Sequence, residues 1–210
     1  MSQSSTYHKE EKLNTLSHAL GIALGIIGLF LMLKKIDQKS EWVLESIWVY
    51  SFTVILLFTA STLYHFTNDP AKKQKLRILD HISIYFLIAG TYTPVALITL
   101  KSSHGTSLFF IVWGVALLGS LFKIFYTGKF EWLSLVLYLV MGWLIVFDFQ
   151  FLWSQLSAEG ALLFLLGGAF YTLGTVFYAI RKIPYNHFIW HLFVLGGAVS
   201  HWLLIYLDVI

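Results

Sequence analysis

The chain has 210 residues, of which 58% are hydrophobic and 12% charged, with a formal net charge of +3 and a mean hydropathy of +0.74. Soluble domains carry roughly 25% charged residues, so a water-soluble globule is excluded and the chain belongs in a bilayer. It contains no cysteine, which removes disulfides, thiolate metal sites and a thiol nucleophile.

The polar start, residues 1–12, reads as a flexible tail, Ser-rich and disordered over residues 2–6. No cleavable signal peptide is expected, because the first apolar run is long enough to span. Seven apolar runs follow, at about 16–33, 42–66, 79–100, 107–126, 132–151, 161–180 and 188–207. Each approaches the roughly 20 residues that a membrane helix needs. The expected fold is therefore all-α: one seven-transmembrane helix bundle over residues 1–210, with no second domain and no internal repeat. Ten basic residues fall on the N-terminal side (Lys9, Lys12, Lys72, Lys73, Lys75, Arg77, Lys123, Lys129, Arg181 and Lys182). Four fall on the other (Lys34, Lys35, Lys39 and Lys101). Basic loops stay inside, so the N-terminus is expected in the cytoplasm and the C-terminus outside, in a multi-pass protein of the cell membrane.

Two features look like packing devices. Gly21, Gly25 and Gly28 share one face of the first run and should admit a close neighbour. Pro94, in the stretch Gly90-Thr91-Tyr92-Thr93-Pro94, should kink the third, with the Thr hydroxyls satisfying freed carbonyls.

Ionisable residues at membrane depth are costly and usually functional. They are His18, His65, Asp80, His81, Asp148, His187, His191, His201 and Asp208. With alternating spans, six of them (His18, His65, Asp80, His81, His187 and His191) fall toward one side, from four different spans. His187 and His191 are one helical turn apart on one face. His65, His187 and His191 could supply the three protein ligands of a catalytic zinc that keeps one position for water. No Glu follows His187, since Phe188 stands there, so the candidate base is Asp80 on another helix. Ser61 lies one turn before His65 and could bond the water or a substrate oxygen. Each residue also has a structural reading. His18 and His81 could be interfacial, and Asp80 could pair with Arg77 or Lys75. Asp148 could hydrogen-bond in the headgroup zone, and His201 could be packed against a neighbouring span.

Ser61-Thr-Leu-Tyr-His65, Asp80-His81, Ala89-Gly-Thr-Tyr-Thr-Pro94 and His187-Phe-Ile-Trp-His191 together resemble the progestin and adipoQ receptor superfamily. Within it they are most similar to the bacterial haemolysin III group, whose opening motif matches Glu11-Lys-Leu-Asn-Thr-Leu-Ser-His18. The resemblance spans the chain. It implies zinc held by His65, His187 and His191, with Asp80 reaching it through water and Ser61 beside it. Glu11 and Asn14 read as caps of the first span near that site. The resemblance further implies kinship with alkaline ceramidases. The expected function is zinc-dependent hydrolysis of a lipid amide or ester in membrane lipid homeostasis, with Asp80 and Ser61 as catalytic residues and membrane lipids as partners. No nucleic-acid partner is expected. The alternatives are a membrane sensor with a structural zinc, and a cytolysin. The uniformly apolar runs offer no polar stripe to line a pore.

Overall fold

A computed structural model describes residues 3–36, 41–180 and 182–210; Ser2 of the expected tail, and Lys39 and Arg181 of the basic count, lie outside them. The helices are α1 (Gln3–Lys35), α2 (Val43–Phe66), α3 (Pro70–Pro94), α4 (Gly105–Tyr126), α5 (Glu131–Gly142), α6 (Phe149–Gln155), α7 (Ala158–Ala179) and α8 (Asn186–Leu204). No strand occurs among the described residues. Seven stretches are long and apolar enough to cross a membrane, with α5 and α6 together making the fifth. The expected flexible tail is instead helical from Gln3 onward. Its acidic side chains are held: the Glu10 carboxylate accepts from the His187 amide at 3.1 Å, and Glu11 pairs with Lys73.

Local sequence sets the helix ends. Asp69 accepts from the Lys72 amide at 2.8 Å and Pro70 follows it, a favoured N-terminal pairing that starts α3. The Ser157 hydroxyl accepts from the Gly160 amide and starts α7. The Asp208 carboxylate accepts in turn from the Ser157 amide and hydroxyl, tying the chain's last turn to α7. Tyr185, just before α8, takes a left-handed φ of 56°, costly for a residue with a Cβ. That turn sends the helix carrying His187 and His191 into the bundle.

α1 packs on α2 and α8, α2 on α3, α3 on α4, and α7 on α8. The core between them holds Tyr50, Leu57, Phe58, Tyr85 and Val194. Gly21 and Gly28 do sit at close approaches: a Cβ on Gly21 would meet the Phe58 ring, and one on Gly28 the Trp202 ring. The fifth span touches its neighbours least, and its contact with α7 is slight.

Two spans depart from regular helix. Beyond Pro94, α3 runs straight into a π-helical turn, Val95–Thr99. The Thr91 and Thr93 hydroxyls donate to the carbonyls of Leu87 and Ala89, and not to the Gly90 carbonyl whose partner Pro94 removes. The fifth span breaks at Trp143 and passes through a 3-10 turn, Leu144–Asp148.

Candidate metal centre

α2 runs toward the face of the bundle that carries the N-terminus, and α3 and α8 start from it. His65 therefore ends its helix near the same depth at which Asp80 and His187 follow the start of theirs. The side chains of His65, His187 and His191 converge. One ligand atom from each lies within 4.8 Å of the other two. His65 and His191 are 4% and 1% exposed, and the ring centroids are 4.8 Å to 5.1 Å apart.

The hydrogen bonds behind these rings decide which nitrogen faces inward. His65 Nδ1 lies 3.0 Å from Glu11 Oε1. A carboxylate only accepts, so Nδ1 carries the proton and Nε2 is a bare lone pair. That Nε2 is buried without a hydrogen-bond partner. His191 Nδ1 lies 3.3 Å from the Asn14 carbonyl and 3.4 Å from Ser17 Oγ, which fixes its tautomer in the same sense. A buried lone pair with no partner is rare in folded proteins. An imidazole backed by a carboxylate or carbonyl is how metal-ligating histidines are usually held. The three histidines therefore fit a metal ion, and neutral imidazoles without thiolates suit zinc among others.

Ser61 and Asp80 stand beside this cluster. They are 1% and 8% exposed, and the Ser61 hydroxyl faces the Asp80 carboxylate. Neither Arg77 nor Lys75 forms an ion pair with Asp80 among the described residues; Arg77 bonds Glu131 at 3.3 Å. His81 turns to the same Glu131, 3.4 Å away. Glu131 also binds the fully buried Lys123 at 2.6 Å. His81 thus belongs to a separate ionic cluster joining α3, α4 and α5, although it lines the same cavity as Asp80.

That cavity, about 150 Å³ counted as room for the centre of a water molecule, runs from His18, Ser61, Asp80 and the histidines along α3, α5, α7 and α8. Its walls beyond the polar end are mainly apolar, with Thr91, Thr172 and Thr175 among them, and it reaches Phe164 and His201. His201 follows His191 by ten residues, about 15 Å along the helix. It lies against Gly167 and the rings of Phe164 and Tyr171. Asp148 accepts from Ser103 Oγ at 2.7 Å and the His104 amide at 3.0 Å, so it caps the start of α4 far from the cluster. Asp208 caps α7. Asp148 and Asp208 thus serve as caps, while His201 is packed against α7 and also lines the cavity.

Sequence reasoning left out the supporting residues. Glu11 and Asn14 are not caps, because α1 begins well before them. They are the hydrogen-bond partners of His65 and His191. The signal was present: Glu11, Asn14 and His18, spaced three and four apart, form one polar face on an otherwise apolar span. His18 is 3% exposed and stacks on His191 with ring centroids 3.6 Å apart, so it is a site residue and not an interfacial one.

A family model described as haemolysin-III related matches residues 6–202. The chain is 44% identical over 193 residues to a hemolysin-3 homolog of Bacillus subtilis, covering 91% of each. It is 39% identical over 199 residues to hemolysin-3 of Bacillus cereus, covering 94% of this chain and 91% of the relative. It is 30% identical over 204 residues to the human monocyte to macrophage differentiation factor, covering 92% and 82%. With seven membrane-length apolar helices and a match over nearly its whole length, the chain is a multi-pass integral membrane protein and belongs to the haemolysin III-related family.

Proposed function

We propose that this protein is a zinc-dependent intramembrane hydrolase of a lipid amide or ester. The observation that carries this reading is the position of the three-histidine cluster, Asp80 and Ser61 at the one polar end of a long apolar cavity. A bound zinc would supply Lewis acidity and a water acidified toward neutrality. The chain's own groups do the rest. His65, His187 and His191 would hold the metal in neutral form. Asp80 stands where a carboxylate can take a proton from the attacking water and return it to the leaving group. The Ser61 hydroxyl can donate to the oxygen on which charge develops. The apolar walls bind an acyl chain and keep bulk water out. The fifth span and α7 are in contact over only a short stretch, bridged by the Trp143–Thr172 hydrogen bond, and their parting there would give a lipid a way in from the bilayer. The excess of basic residues on the N-terminal side supports an orientation with this polar end toward the cytoplasm.

The test joins metal analysis to lipid turnover. Purified protein is expected to carry about one zinc per chain and to release product from a ceramide or related acyl lipid until a chelator is added. The variant His187→Ala/His191→Ala should lose both. A wild-type protein without stoichiometric metal, or turnover that chelation leaves intact, overturns the reading. The names of the two Bacillus relatives favour cytolysis as a second reading. It requires zinc-independent dye leakage from liposomes at low protein-to-lipid ratio, and liposomes that stay tight remove it.

A further inference from the structure

Far from the histidine cluster, the cavity carries two polar side chains that the mechanism above does not use. His201 stands about 15 Å along α8 from His191. Tyr171 faces it from α7, with ring centroids 5.5 Å apart. Both line the cavity, and His201 also borders a smaller hollow beyond it, toward Leu204 and Ile205. Each ring is seated on a glycine of the opposite helix. A Cβ on Gly167 would come within 2.2 Å of the His201 ring, and one on Gly197 within 2.8 Å of the Tyr171 carbon that bears the hydroxyl. Gly197 is one turn before His201, so the two polar tips share one stretch of wall. The threonines of these walls are met: Thr91 and Thr175 donate to carbonyls of their own helices, and Thr172 accepts from Trp143. His201 and Tyr171 are not. Both ring nitrogens and the phenol oxygen are buried without a hydrogen-bond partner. One nitrogen approaches the Phe164 carbonyl, which can only accept, so that nitrogen carries the proton and the other is bare. Each buried polar group left unmet costs about 1–3 kcal/mol, a cost that leucine and phenylalanine would avoid in the same places.

We propose that His201 and Tyr171 form a second binding site, which takes one hydroxyl group carried partway along the chain of a lipid whose head lies at the three histidines. A hydroxyl both donates and accepts. It can donate to the bare nitrogen of His201 and accept from the Tyr171 O–H. A carbonyl or ether oxygen only accepts and leaves His201 unmet, and a plain methylene chain leaves both unmet. This rests on reading the cavity as an acyl-chain site, and it adds the point along the chain at which the protein reads its ligand.

The experiment uses long-chain hydroxy fatty acids that differ only in the position of the hydroxyl, with the unsubstituted acid as reference and the carboxylate standing for the head. Binding to the purified, zinc-loaded protein is read by displacement of a fluorescent fatty acid. The isomers share the cost of stripping water from the hydroxyl, so differences among them report where it lands. The isomer whose hydroxyl lies about 15 Å from its carboxylate should bind about tenfold more tightly than the others, the equivalent of one buried group met. His201→Phe and Tyr171→Phe keep a ring in place and remove the nitrogens or the oxygen. Each should level the series while metal content is unchanged. If His201→Phe does not fold, Tyr171→Phe, which loses one oxygen only, carries the comparison. Isomers that bind alike in the wild type, as they would if a water molecule filled this point, overturn the inference, and so does a preference that the variants keep. When the reference acid binds and the isomers do not differ, the inference alone falls. When no fatty acid binds, the acyl-chain reading falls with it. A positional preference in a protein that cleaves no lipid keeps the inference and sinks the hydrolase reading.

Discussion

Glu11 shows how much a single residue outside the ligand set controls. One carboxylate oxygen faces His65 Nδ1 and the other pairs with Lys73, so the residue orients a ring on α2 from α1 and is itself anchored to α3. Losing the carboxylate frees His65 to turn and to place its proton on the inward nitrogen, where it blocks ligation. Partners of this kind typically change metal affinity by 10–100-fold. Glu11→Ala should therefore weaken zinc binding by about 10–100-fold, measured by competition with a chromophoric chelator, with all three histidines still present. Unchanged affinity would show that His65 does not depend on Glu11 for its tautomer. The convergence of the three histidines that could hold an ion was legible because the i, i+4 pair and the alternation of spans need no coordinates. The role of Glu11 was not, because an acidic residue at the start of a chain has the same composition as a solvated tail.

At the scale of elements, the break in the fifth span is the least regular part of the bundle. Backbone groups freed inside the hydrocarbon region need partners there, since no water replaces them. The Tyr92 hydroxyl meets two at once: it donates to the Gly142 carbonyl at 2.7 Å and accepts from the Ile145 amide at 2.9 Å. The break leaves Trp143 half-exposed, and its Nε1–H donates to Thr172 on α7 at 3.2 Å. The sequence shows a mainly apolar run through this region, with Gly142 and Asp148 as its weak points, so a straight helix was the natural reading. Pro94 was visible, but the hydroxyl of its neighbour Tyr92 acts on another span, and no local pattern reports that. Tyr92→Phe removes one oxygen and keeps the shape. It leaves the buried Ile145 amide and the partly buried Gly142 carbonyl unmet, and a buried unmet group costs about 1–3 kcal/mol. Its unfolding temperature in detergent should fall clearly below the wild type's. An unchanged temperature would mean that the break finds other partners.

Across the whole molecule, the number and order of spans could be read from the apolar runs, but their arrangement around the axis could not. The contacts that build the site join residues about as far apart as the chain allows: Ser17 with His191, and Glu10 with His187. Short loops dictate which helices follow one another, not that α1 and α8 lie side by side at the two ends of the chain. A metal ion at the cluster would tie α2 to α8, and α1 is bound to the same rings through Glu11 and Asn14. It would then act as a cross-link between the first two spans and the last. A ligand that binds only the folded state stabilises it by about 4 kcal/mol at a thousand times its Kd. Chelation should therefore lower the unfolding temperature of the wild-type protein, and added zinc should restore it. His191→Ala should start at the lower temperature and respond to neither treatment. A wild-type protein that unfolds at one temperature with and without chelator, while elemental analysis shows that the metal has left, would mean that the bundle closes without the ion. The acid residues of α1 and the packing of α8 would then hold the site together unaided.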